Sequence, residues 1–106
     1  MNVSNLNEMV GGWFVGNFSP SVLTSDEFEV AIKKYAAGDS EPKHVHKVAT
    51  EITVIVSGRV RMFGTEFSEG AIITLAPGDA TAFLAIEDTI TVVVKSPSVS
   101  GDKYLC

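Results

Sequence analysis

The sequence predicts an all-β fold, and three observations carry that prediction. Val, Ile, Thr and Phe dominate the apolar runs, and β-branched and aromatic side chains suit a pleated, half-buried surface. Gly and Pro break these runs at short intervals. A helical period is nearly absent. Strands are expected over residues 13–18, 27–35, 44–47, 51–57, 59–63, 71–75, 80–85 and 89–95. Tight turns are expected at Ser57-Gly58 and at Gly64, because Gly takes positive φ without strain. Ala76-Pro77-Gly78-Asp79 reads as a turn in which Pro presets φ, Gly takes the left-handed position and Asp caps locally. Many short strands with regular turn signals point to a sandwich or a closed barrel.

Within 51–57, Ile52, Val54 and Val56 alternate with Glu51, Thr53, Ile55 and Ser57. Residues 89–95 repeat the pattern, with Ile90, Val92 and Val94 opposite Thr89, Thr91, Val93 and Lys95. Alternation puts each set on its own face. The apolar set is expected to form the core between two sheets or a subunit interface, and the mixed set to line a cavity. So much apolar strand surface on a small barrel suggests a homodimer.

The 106 residues fit one domain, 1–106, with residues 1–10 and 96–106 as peripheral segments. The 13 acidic residues outnumber the 8 basic ones, for a net charge of −5. Nucleic-acid binding needs clustered Lys and Arg, and Lys33-Lys34, the nearest approach to a cluster, reads as a solvated face. An anionic membrane surface is disfavoured for the same reason. No run of apolar residues is long enough to span a bilayer. The single cysteine, Cys106, cannot form an intramolecular disulfide. The first basic residue is Lys33, so the start lacks the positive region of a signal peptide, and a cytoplasmic location is the expectation.

The only two histidines, His44 and His46, stand two residues apart, which on a strand means one face. Glu51 follows after a short connection and can meet the same point from a neighbouring strand. Two imidazoles and one carboxylate form a donor set for Fe, Mn, Ni or Zn with open positions left for other ligands. The pair can equally be hydrogen-bonded lining of a polar pocket.

Gly38 to Gly58 reads GDSEPKHVHKVATEITVIVSG, and Gly70 to Phe83 reads GAIITLAPGDATAF. The first segment resembles the first motif of the cupin superfamily in order and spacing, at Gly38, His44, His46, Glu51 and Gly58. The second resembles the looser second motif at Gly70, Pro77, Gly78 and Phe83. The resemblance covers the central two-thirds of the chain. It implies a jelly-roll β-barrel of two packed antiparallel sheets, a cavity open at one end, and a divalent transition metal held there by His44, His46 and Glu51. A small organic molecule would be the partner. The family's second motif usually supplies a third histidine where this chain has Thr81. Thr81 is then either a donor to a metal-bound water or a packing residue.

Function follows in two versions. One is a metal-dependent enzyme, dioxygenase-like or isomerase-like. The other is a metal-free barrel that binds or senses a sugar-like ligand through Thr53, Thr81 and Thr91. Tyr35, Thr53, Thr81, Phe83 and Lys95 are expected to line the pocket, Tyr35 by hydrogen-bonding and Lys95 by meeting an anionic group. A Tyr35–histidine acid–base pair without metal is a third version. Trp13, Phe14 and Phe18 read as core, and Lys47 and Arg59 as surface charges.

Overall fold

The strand patterns close into two facing sheets. The computed structural model describes residues 1–106. Its strands are β1 (Trp13–Gly16), β2 (Leu23–Thr24), β3 (Glu29–Tyr35), β4 (Ser40–Val45), β5 (Thr50–Ser57), β6 (Arg59–Met62), β7 (Thr65–Ser68), β8 (Ile72–Leu75), β9 (Ala80–Ala85), β10 (Thr89–Ser96) and β11 (Tyr104–Leu105). One sheet runs β2-β1-β3-β10-β5-β8 and the other β11-β4-β9-β6-β7. All pairings are antiparallel except β1 with β2. This is the jelly-roll barrel of two packed sheets, and the only helical element is a 3-10 turn at Leu6–Glu8. No helix is long and apolar enough to cross a membrane.

The alternating strands resolve against one expectation. In β5 and β10 the buried residues are Thr53, Ile55, Thr89, Thr91 and Val93, which all belong to the mixed set. The β-branched set faces outward and is not the core between the sheets. Ile32, Val92, Val54 and Ile72 lie side by side across β3, β10, β5 and β8 on that outer surface. The inner space is divided instead. At one end Ile55, Val60, Met62, Ile73, Leu75, Phe83 and Ala85 form the apolar core. The other end is left to polar residues and a cavity.

Three short strands, β2, β7 and β11, were not anticipated, because two to four residues give no readable period. The strand expected at 44–47 runs over Ser40–Val45 instead, so His46 lies just past its end. Residues 96–106 are more than a peripheral loop. They include β11, which pairs with β4, and two buried polar residues, Ser98 and Asp102.

Candidate functional site

The site begins with a break in the β4–β9 ladder. Glu41 pairs with Phe83, yet His44 pairs with Thr81, so β4 spends three steps where β9 spends two. The extra residue makes a bulge at Pro42-Lys43. Pro42 has no N–H to give the ladder, which suits that irregular position. The bulge turns both Glu41 and His44 toward the interior, although three residues separate them. His46 follows on the same side and is buried, 5% exposed. The chain then reverses through Lys47, Val48 and Ala49 into β5, which delivers Glu51.

Glu41, His44, His46 and Glu51 line one cavity of about 290 Å³, together with Trp13, Lys33, Tyr35, Lys95 and the C-terminal segment. The His46 Nε2 atom lies 3.7 Å from Glu51 Oε2. The His44 and His46 rings are 5.2 Å apart, edge to face. No three His, Cys, Asp or Glu side chains are gathered closely enough, as they stand, to hold a metal ion.

The tautomers are set by backbone carbonyls. His44 Nδ1 donates to Pro42 O at 3.0 Å, and His46 Nδ1 donates to the carbonyl of Asp102. A carbonyl can only accept, so both neutral rings carry their proton on Nδ1 and their lone pair on Nε2. His46 Nε2 is buried and has no hydrogen-bond partner. An orphaned buried lone pair beside a carboxylate, on a ring already oriented by a carbonyl, fits the donor chemistry of a divalent transition metal.

Asp102 is the residue that sequence reasoning missed. Its carboxylate accepts hydrogen bonds from the backbone N–H groups of Lys47 (2.9 Å), Val48 (3.2 Å) and Ala49 (2.9 Å). It therefore grips the connection between His46 and Glu51 while its own carbonyl orients the His46 ring. Burial pushes the Asp102 carboxyl up, but the three backbone donors outweigh this and hold it below the usual carboxylate range. No local signal marks it, because its partners lie more than fifty residues earlier in the chain.

The expected lining residues divide. Tyr35 lines the cavity, donates to Glu41 Oε1 at 3.2 Å and packs on Phe83 with ring centroids 4.5 Å apart. Burial, then Glu41, raises its phenol well above the ordinary value, so it keeps its proton and makes a poor base. Lys95 lines the cavity and pairs with Glu29 at 3.5 Å. Thr53, Thr81 and Phe83, with Thr91, line a smaller void of about 30 Å³ that shares Tyr35, Glu41, His44 and Glu51 with the cavity. The Thr81 hydroxyl is occupied by backbone, accepting from Phe63 N at 2.9 Å and donating to Ala82 O at 2.7 Å. The three threonines of the sugar-like version line this smaller void and not the larger cavity.

Two other expectations change. Trp13 and Phe18 are cavity wall rather than core, with Lys33 and Lys95 over the Trp13 ring; Phe14 instead faces a groove against the N-terminal segment. Lys33 is not part of a solvated face, because it turns inward and lines the cavity while Lys34 stays exposed.

No protein-family model matches the sequence, and no curated protein matches it. Solved structures share its shape. A conserved protein with a double-stranded β-helix domain from Klebsiella pneumoniae superposes with a TM-score of 0.73 at 22% identity, covering 98% of this chain and 90% of that one. A cupin protein from Bacteroides fragilis gives 0.58 at 26% identity over 70% and 69% of the two chains. The DMSP lyase DddQ from Ruegeria pomeroyi gives 0.70 at 20% identity over 86% of this chain, which spans about half of the lyase (48%).

Proposed function

Starting from a chain that has the cupin fold, we propose that it is a metal-dependent enzyme, dioxygenase-like or isomerase-like, acting on a small organic molecule in the 290 Å³ cavity. His44, His46 and Glu51 are the metal ligands. The observation that carries the reading is His46 Nε2, buried, without a partner and 3.7 Å from Glu51 Oε2. When bound, a divalent transition metal supplies Lewis-acid character there and, if redox-active, one-electron chemistry. The protein's own residues do the rest. The Pro42 and Asp102 carbonyls hold the two imidazoles with Nε2 free. Tyr35, fixed by Glu41, offers a proton-bearing wall and stays protonated through the physiological range. The cavity sits at the lower edge of the roughly 300–1,000 Å³ common for ligand sites, which selects small substrates.

Elemental analysis of untagged protein by plasma mass spectrometry tests the reading. About one equivalent of Fe, Mn, Ni or Zn per chain is expected, and the His46→Ala variant is expected to lose it. Absence of metal after anaerobic incubation with each of these ions overturns the assignment.

The outer face of the six-stranded sheet supports a second statement, that the chain forms a homodimer through this surface. Aliphatic β-branched residues cover it from Ile32 through Val92 and Val54 to Ile72, which is 68% exposed. An apolar face of this kind can pair with its own copy across a twofold axis. Light scattering at micromolar protein is expected to report a dimer, and Val54→Lys to convert it to a monomer. A monomeric mass for the unaltered chain refutes the interface.

A further inference from the structure

Basic groups share the cavity with its donors. Beside His44, His46, Glu41 and Glu51, it is lined by Lys33 from β3, Lys95 from β10 and Lys103 from the C-terminal segment. This is three of the chain's eight basic residues facing one small cavity in a protein of net charge −5. Lys33 Nζ lies 5.4 Å and Lys95 Nζ 4.8 Å from the centre of the same Trp13 ring. Lys95 is matched by Glu29, whose other carboxylate oxygen accepts from the Ser98 hydroxyl at 2.7 Å. Lys33 and Lys103 have no such match. Neither forms an ion pair or a side-chain hydrogen bond, although Lys33 is half-buried.

An ammonium drawn out of water beside two like charges is unfavourable, and an indole face compensates only part of the cost. The Lys33 amine responds accordingly: burial lowers its affinity for a proton, Glu41 opposes this, Lys103 and Lys95 lower it further, and Glu51 opposes them in turn. The cavity's own carboxylates make their close contacts elsewhere. Glu41 accepts from Tyr35, Glu29 holds Lys95, Glu51 lies beside His46, and Asp102 accepts from three backbone N–H groups. None of them pairs with the Lys33 or Lys103 amine, so these two keep an open position for an anionic partner.

We infer that the cavity binds a small organic anion, a carboxylate or phosphate ester, whose charged group docks between Lys33 and Lys103 over Trp13. This rests on the reading of the cavity as a small-molecule site and adds the class of substrate. The anion end and the donor end share one cavity of about 290 Å³. Lys95 is the register neighbour of both Glu29 and Glu51, one strand spacing of about 4.8 Å away on each side. A short acid can therefore keep its charged group on the lysines and present a neighbouring carbon or oxygen to His44, His46 and Glu51.

The test is calorimetric titration of the full chain, with and without Zn(II), using oxalate, malonate, malate, phosphoglycolate and glycerol as probes. At least one of the four anions is expected to bind about tenfold or more tightly than glycerol. Lys33→Met is expected to abolish that preference, and Lys34→Met, at an exposed site on the same strand, to leave it intact. Lys33→Met removes an unmatched charge from a half-buried position, so its melting temperature is expected to equal or exceed that of the unaltered protein. Its zinc content is expected to be unchanged. Carboxylates binding ahead of phosphoglycolate assign the anion as a carboxylate, and the reverse order as a phosphate ester. Equal binding of anions and glycerol, or anion binding that survives in Lys33→Met, overturns the inference. Anion binding through Lys33 in a chain that takes up no metal sustains it while refuting the metal assignment.

Discussion

Asp102→Ala is expected to destabilise the fold by about 3 kcal/mol, and to weaken metal binding without touching a metal ligand. The stability loss follows from three backbone N–H groups. The Ala49 donor is buried and would be left unsatisfied, at about 1–3 kcal/mol, while those of Lys47 and Val48 can turn partly to water. Asp102→Asn keeps one acceptor oxygen and is expected to lose about half as much. The pH dependence has a definite sign. The folded carboxyl titrates below its ordinary value of 3.8, so it stabilises the fold at pH values above that figure. The contribution is lost as pH falls through the lower, folded value. Urea unfolding should therefore show a constant gap between Asp102→Asn and the unaltered chain at neutral pH, closing in acid. The effect on metal arises because the carboxylate holds the connection that joins His46 to Glu51. Loss of such supporting contacts commonly costs about 10–100-fold in affinity. A competitive chelator titration with Zn(II) checks this, and unchanged affinity would show that the connection is rigid without Asp102.

Gly58→Ala is expected to cost about 4 kcal/mol and to lower the melting temperature by roughly 20 °C, read by far-ultraviolet circular dichroism. Gly58 is where the chain leaves the six-stranded sheet at β5 and enters the five-stranded sheet at β6. Its φ is +97°, in the region L side chains rarely adopt. A methyl group there would lie 2.3 Å from Thr89 Oγ1, 2.4 Å from the Asp88 carbonyl oxygen and 2.7 Å from Thr89 Cα. Thr89 cannot retreat, because it is buried and its hydroxyl is bound to the Glu87 carbonyl at 2.8 Å. Gly64→Ala is the control. Its φ is +69° but no atom lies within 4 Å of the added carbon, so only backbone strain of about 1 kcal/mol applies. Equal losses in the two variants would show that strain, not the close approach to Thr89, sets the cost.

Local pattern made several features legible in advance. The alternation in β5 and β10 announced two-faced strands, and the turns at Gly58 and Gly78 follow from residue chemistry that acts within four positions. The spacing of His44, His46 and Glu51 brought those residues to one cavity, because a two-residue period and a short reversal are local geometry. The same locality limited the reading. Which face of a two-faced strand looks inward is not written in its period. Here the more apolar face lies outside, since the interior at this end is a polar cavity whose walls come from β1, β3, β10 and the C-terminal segment together.

The sequence by itself determined the fold class, the principal strands and the grouping of two histidines with Glu51, all of which depend on neighbours a few residues apart. Only the tertiary structure decided what surrounds that group. The grip of Asp102 on Lys47, Val48 and Ala49 spans more than fifty residues, and the meeting of Lys33, Lys95 and Lys103 joins two strands and the C-terminal segment. Such contacts leave no periodic trace in the chain, because they are selected by the closure of the barrel and the cost of leaving buried polar groups unmatched.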